Sequence, residues 1–252
     1  MIIDGHAHIL DTDYGDAKAL LEQYKVAGVD KGILVPGGML DVRKMTKYIN
    51  GEEQPDVSQV PNFLVENAIA EYPDRFYGFY CVNPHKGKPV LDELKTAMQK
   101  GFCGLKLAPM VHQFSLSAPI IMELAELCGI LDIPFYTHTV YSPAASTKKM
   151  NQLVKKFPKT NFILGHMGFG PSDVEAVQFA LESDNLYLES SQGSHVILKE
   201  AVEKLGSTKL IFGSEFPMYH PSVSLQSIYA LNCSSNELDN ILCNNMMNLI
   251  KK

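Results

Sequence analysis

Near its start the chain reads Ile2-Ile3-Asp4-Gly5-His6-Ala7-His8-Ile9, two histidines one residue apart inside an apolar stretch. Successive side chains of a β-strand alternate faces, so His6 and His8 point the same way. Neutral imidazole is a common metal ligand, and two on one face of a rigid strand supply half of a divalent-metal site. The bland alternative is a pair of surface histidines. Further polar residues stand late in later apolar segments: Lys106 in Cys103–Leu107, His138 closing Ile133–His138, His166 closing Asn161–His166, and Glu215 closing Lys209–Glu215. His6, His8, His138 and Glu215 together offer three imidazoles and a carboxylate. That donor set suits Zn2+ first, and also Mn2+, Fe2+ or Co2+. Such an ion brings the pKa of a coordinated water near neutral, and His166 is the group best placed along the chain to take the proton. Alone, His138 reads as a packed core histidine and Leu164–Gly168 as a turn. At equivalent ends of neighbouring strands, after an opening His-x-His, they read as a site.

The elements that must position these groups alternate regularly. After strand one, a helical pattern over Tyr14–Ala27 stops at Gly28, and strand Lys31–Pro36 follows. Residues Gly37–Pro61 form a polar, irregular connection with helical patches, longer than an ordinary loop. Helix Asn62–Tyr72 leads to strand Phe76–Val82, helix Lys88–Lys100 to strand Cys103–Leu107, and helix Ala118–Cys128 to strand Ile133–His138. Helix Ala144–Phe157 leads to strand Asn161–His166, helix Ser172–Glu182 to strand Leu186–Ser190, and helix Val196–Leu205 to strand Lys209–Glu215. Two helical stretches close the chain. Eight strand–helix units predict a single-domain (β/α)8 TIM barrel, of class α/β, over residues 1–252, with the long loop after strand two lying over its mouth. An open doubly wound sheet shares this alternation, but no Gly-x-Gly-x-x-Gly follows a strand. The polar residues decide it. Only a barrel gathers all the strands' carboxyl ends into one mouth.

Composition bounds the rest. At 252 residues and 46% hydrophobic, the chain can bury a large core. A net charge of −6 argues against a nucleic-acid binder, which needs a basic face. No apolar run is long enough for a membrane span, and the first residues lack the basic and apolar regions of a signal peptide. Five cysteines without Cys-x-x-Cys spacing read as buried thiols of a cytoplasmic protein.

The motifs Asp4-Gly5-His6-Ala7-His8, Gly104-Leu105-Lys106-Leu107, Thr137-His138, Leu164-Gly165-His166-Met167-Gly168 and Phe212-Gly213-Ser214-Glu215-Phe216-Pro217 resemble the amidohydrolase superfamily. More narrowly they are similar to its amidohydrolase-2 branch, which includes aminocarboxymuconate-semialdehyde decarboxylase and related carboxylate decarboxylases. The resemblance runs the length of the chain in order, to an Asn-rich terminal helix around Asn244–Ile250. It implies that His6, His8 and His138 bind metal and that His166 is the catalytic base or a second-metal ligand. The family usually carries Asp where Glu215 stands, so the resemblance leaves open whether Glu215 is a ligand or a proton acceptor. Lysines on strand four are carbamylated in some branches. The Gly-x-Lys-Leu context here implies an unmodified cation, Lys106, facing an anionic substrate group.

His112 after strand four and Tyr141 after His138 stand on mouth-side loops as candidate substrate contacts. Arg43, in the long loop, is another, although an exposed helical charge explains it as well. His85, His195 and His220 carry no such pattern, and Glu189 and Ser190 end strand seven as candidate pocket floor. The leading reading is a metal-dependent hydrolase of an amide, ester or lactone bond in a small anionic molecule, with His166, Glu215 and Lys106 as catalytic residues. Nonoxidative decarboxylation of an unsaturated or aromatic acid is the alternative on the same scaffold, and a noncatalytic barrel with a structural metal is the third. A homodimer is compatible with each. Fold does not choose among them.

Overall fold

The computed structural model describes residues 1–251. Eight parallel strands form one sheet in sequence order: β1 (Ile3–Ile9), β2 (Lys31–Pro36), β3 (Phe76–Cys81), β4 (Gly104–Leu107), β5 (Phe135–Thr137), β6 (Phe162–Leu164), β7 (Leu186–Glu189) and β8 (Leu210–Ile211). Helices α1 (Ala17–Ala27), α2 (Met45–Ile49), α3 (Asn62–Glu71), α4 (Pro89–Gln99), α5 (Pro109–His112) and α6 (Pro119–Leu131) precede β5. Then come α7 (Thr147–Lys156), α8 (Val174–Leu181), α9 (His195–Leu205), α10 (Pro221–Tyr229), α11 (Ser235–Asp239) and α12 (Asn245–Ile250). The segment after β8 closes the ring against β1. Gly5 N donates to Phe212 O, Glu215 N to His6 O and His8 N to Phe216 O, at 2.7, 2.9 and 2.8 Å. The chain thus forms a nearly closed α/β barrel.

One apolar cluster fills the layer between strands and helices, with Leu34, Leu105, Phe135, Phe162 and Leu188 facing helix residues such as Leu94, Leu124 and Ile197. A second joins Ile33, Phe79, Tyr136, Ile163 and Ile211 with Met246, Leu249 and Ile250 of α12. Asn245 anchors that last helix by donating to the carbonyls of Ser207 and Leu210 at 2.7 and 2.6 Å. None of the five cysteines forms a disulfide. Among the described residues no helix is long and apolar enough to cross a membrane.

Several strands are shorter than the sequence suggests, three of them at site residues. His138 lies one residue beyond β5, His166 two beyond β6, and Glu215 four beyond β8. After β6 and β8 the reason is backbone conformation. His166 (φ 61°), Met167 (φ 58°) and Glu215 (φ 62°) are left-handed, a shape no strand accommodates and one that costs non-glycine residues roughly 1–2 kcal/mol each. The loop after β4 also differs, since Pro109–His112 coils into a helical turn with His112 as its last residue.

A register shift in β1 is the least expected feature. Asp4 pairs with Gly32 but Ala7 with Leu34, so an extra residue is accommodated between them. The Asp4 carboxylate therefore meets the layer outside the strands, taking a hydrogen bond from the Tyr24 hydroxyl of α1 at 2.9 Å. It also accepts from the Ser214 amide at 2.8 Å, the Ser214 hydroxyl and the His6 amide at 3.1 Å. Burial pushes this carboxyl up to about 6 against those four bonds. Gly32 makes room for the arrangement, because a Cβ there would run into the Tyr24 ring. Tyr24→Phe leaves a buried carboxylate oxygen short of a donor and should cost about 1–3 kcal/mol of stability, read as a lower urea midpoint. An unchanged midpoint would show the hydroxyl to be dispensable.

Candidate metal centre

Beyond the shift, β1 delivers His6 and His8 to the inside, their ring centroids 4.9 Å apart. His6 is wholly buried, and its ring meets Tyr136 of β5 and His166 at 4.9 and 5.3 Å. Glu215 arrives from the segment after β8, fixed by its own amide on His6 O. Its Oε2 stands 2.8 Å from His6 Nδ1, and its Oε1 3.4 Å from His8 Nε2. One donor atom from each of His6, His8 and Glu215 lies within 4.8 Å of the others. His166 Nδ1 is 3.6 Å from the same carboxylate, and the His138 ring is 5.5 Å from that of His166.

Two kinds of observation test whether these residues fit a cation. The first is pairing. His6 Nδ1, His138 Nδ1 and Glu215 Oε2 are buried with no hydrogen-bond partner, although the first and third are only 2.8 Å apart. Their orientations do not form a hydrogen bond, and unpaired buried polar atoms are costly. The second is spacing. Ligand atoms about 2.1 Å from a tetrahedral ion lie roughly 3.4 Å from one another, close to the separations found here. The donor set fits a divalent metal.

Electrostatics agree. Burial pushes His166 down to about 4 and His138 well below its ordinary value, and lowers His8, which favours the neutral form that metal ligands and bases need; His6 shifts upward, burial being outweighed by Glu215 and Glu189. Burial also works against the Glu215 carboxyl, but His6, His166 and His8 around it hold it well below the usual carboxylate range. Lys106, on β4, is buried with Nζ 3.3 Å from His6 Nε2 and 3.8 Å above the Tyr136 ring. Burial lowers its pKa, opposed by Glu215. It lies beside His6 in the same group of side chains.

The other expected contacts divide. His112 is buried with both ring nitrogens unpartnered, and burial takes it down to about 4. His85, read as an ordinary loop residue, places its Nε2 2.6 Å from the His112 carbonyl. Tyr141 is 91% exposed and stacks on Phe169 at 5.7 Å. Arg43 is exposed, paired with Asp41 at 2.7 Å and lying 4.6 Å above the Tyr14 ring. Neither Tyr141 nor Arg43 is brought to the histidines by any of these contacts. Beside Lys106, Met39, Cys81 and Ala108 pack with Val60 and Val111 into a small apolar shelf, Cys81 being its register partner on β3.

Glu189, which the sequence offers only as pocket floor, is central. It is wholly buried at the end of β7, with Oε2 3.4 Å from His6 Nδ1. Burial alone would raise its carboxyl, but contact with His6, the proximity of His166 and the Ser191 amide bring it down to about 2. Its signal was available. It ends an apolar strand, the position along the chain at which the sequence also sets His138, His166 and Glu215.

Known proteins share this fold. The sequence profile of the amidohydrolase family matches residues 3–247. No curated protein sequence gives a significant match. Among solved structures, an uncharacterised TIM-barrel protein of Bordetella bronchiseptica superposes with a TM-score of 0.79 at 17% identity, over 99% of this chain and 98% of that one. A 5-carboxyvanillate decarboxylase of Novosphingobium aromaticivorans, complexed with manganese and 4-hydroxy-3-methoxy-5-nitrobenzoic acid, gives 0.75 at 14% identity, covering 100% and 96%. A protein described as a probable 2-pyrone-4,6-dicarboxylic acid hydrolase of Acinetobacter baumannii, with citric acid bound, gives 0.71 at 20% identity, covering 100% and 99%. At these identities the likeness is one of fold.

Proposed function

The chain belongs to the amidohydrolase family, and from that premise we propose that it is a metal-dependent hydrolase cleaving an amide, ester or lactone bond of a small anionic molecule. The observation that carries this reading is the convergence of His6, His8 and Glu215 donor atoms, with buried nitrogen and oxygen atoms left unpaired. His6, His8 and Glu215 would hold the ion, with His138 approaching from β5; zinc suits the set, and manganese, iron or cobalt are the alternatives. Bound there, the ion would supply Lewis acidity and lower the pKa of water. His166, neutral and beside Glu215, takes the proton. Lys106 faces the anionic group of the substrate, and its position under the aromatic face of Tyr136 keeps the ammonium in the site. His112, buried after β4 with both ring nitrogens unpaired, would reach the same molecule only if its loop turns. Tyr141 and Arg43 would meet substrate only from the rim.

A second reading has its own support. The apolar shelf of Met39, Cys81, Ala108, Val60 and Val111 beside Lys106 suits a flat aromatic acid, and with it nonoxidative decarboxylation. Assays of metal-loaded protein separate the two: hydrolysis of small amides and lactones supports the first, and carbon dioxide release from aromatic acids the second.

Purified protein is expected to carry about one divalent transition ion per chain, by elemental analysis, with Lys106 unmodified in the intact mass. Two ions bridged by a carbamylated Lys106 would overturn the mononuclear reading. Chelation should abolish turnover and added Zn2+ or Mn2+ restore it.

A further inference from the structure

The carboxylate of Glu189 takes four hydrogen bonds. Its Oε1 accepts from the Ser191 amide at 2.6 Å, and its Oε2 from the Tyr136 hydroxyl at 2.8 Å, the Ser191 hydroxyl at 2.8 Å and the His166 amide at 3.3 Å. Three of the four donors converge on Oε2, which also lies 3.4 Å from His6 Nδ1, while Oε1 takes the Ser191 amide. Glu189 lies near enough to His6 and His166 to share a metal with them, but its Oε2 already takes three hydrogen bonds. Gly213 confirms how tightly the group is held, because a Cβ at that position would overlap the Glu189 carboxylate. This side chain is an anchor, and what it anchors is Ser191.

The single hydroxyl proton of Ser191 must go to Glu189, since otherwise two acceptors would face each other across 2.8 Å. With its proton committed, the Ser191 oxygen is only an acceptor toward His166 Nδ1, 2.9 Å away. Nδ1 must therefore carry the hydrogen. Of its other neighbours one is an acceptor as it stands, and the other becomes one when its amide is turned. Glu215 Oε2, at 3.6 Å, is an acceptor, and the Gln192 amide, whose Nε2 is 3.4 Å away, can turn its carbonyl oxygen to the same hydrogen. His166 Nε2 makes no hydrogen bond among the described residues, and the side chain keeps 16% exposure.

We propose that Glu189 and Ser191 are positioning residues that fix His166 as its Nδ1–H tautomer, leaving the Nε2 lone pair as the basic nitrogen. The chain runs from carboxylate to hydroxyl to imidazole, each member donating toward Glu189. The opposite tautomer would present an N–H where a proton has to be received. The consequence for turnover rests on the proposed role of His166 as proton acceptor; the tautomer itself does not.

The test is nitrogen NMR on zinc-loaded protein with 15N-labelled histidine, the His166 signals being identified by their loss in His166→Asn. Wild-type protein is expected to show the His166 ring hydrogen on Nδ1. Ser191→Ala should abolish the single tautomer and lower kcat by roughly 10- to 100-fold, the usual range for groups that orient a site histidine, with KM little changed. Ser191→Thr, which keeps the hydroxyl, should restore both. Glu189→Gln can reverse the chain by donating to Ser191, and should shift the hydrogen toward Nε2. A wild-type hydrogen on Nε2, or an unaltered tautomer in Ser191→Ala, overturns the proposal; if Ser191→Ala does not fold, the wild-type spectrum decides. Full turnover in His166→Asn beside an Nδ1–H wild-type signal upholds the tautomer and sinks only the role given to His166 above.

Discussion

Replacing Glu215 by glutamine is expected to lower turnover by roughly 10²-fold or more, even in protein assayed with its metal fully loaded. The substitution preserves size and removes the negative charge. In the wild type that charge lies 2.8 Å from His6, 3.4 Å from His8 and 3.6 Å from His166, so one carboxylate serves three imidazoles. An amide in its place would put a donor N–H or a weaker carbonyl where a cation must be held. Glu215→Asp should also impair turnover, although aspartate is the residue the family usually carries. The backbone here is left-handed and pinned by the Glu215 amide on His6 O, so it cannot advance to recover the missing methylene. Metal content measured beside kcat separates loss of the ion from loss of the charge. Near wild-type turnover in Glu215→Gln with metal bound would reduce the residue to a structural one.

His166→Asn is expected to have an effect of similar size, roughly 10²-fold or more on kcat, while leaving the fold and most of the metal in place. Asparagine tolerates left-handed backbone better than most residues, so the φ of 61° is kept and the imidazole alone is removed. His6, His8 and Glu215 remain grouped without it. Retained metal with lost turnover would support a proton-accepting role. An emptied site would make His166 a primary ligand and overturn the division of roles proposed here.

Much of this arrangement is legible in the sequence because a barrel obeys a simple positional rule. Polar residues late in apolar strands or just past them collect together, and His6, His8, Lys106, His166 and Glu215 do so. Glu189 obeys it too, but one carboxylate ending Leu-Tyr-Leu-Glu looks like any acid at a strand end. Its importance comes from partners on β5 and from Ser191 and His166, which become neighbours only in three dimensions. His138 shows the reverse, since its place along the chain suggests a ligand while its ring settles beside His166, outside the tight group of donor atoms. Loop residues were harder still. Position along the chain says that Arg43 and Tyr141 follow strands at the mouth, not whether their side chains turn inward. Asp41 and Tyr14 satisfy Arg43 locally, and Phe169 stacks on Tyr141.

The slipped register of β1 bears on how this barrel can be redesigned. Alternation alone would count Asp4, His6 and His8 as one row, inviting a third histidine at the first position to enlarge the metal site. The slip puts the first position in a different compartment. An imidazole there would sit against Tyr24 and Ser214 and supply no ligand, while undoing the joint between β1 and the segment that carries Glu215. The strand is effectively two short modules with separate loyalties, one to the helical jacket and one to the mouth. A graft of His6-Ala7-His8 onto another barrel would need to bring the slip along with the histidines.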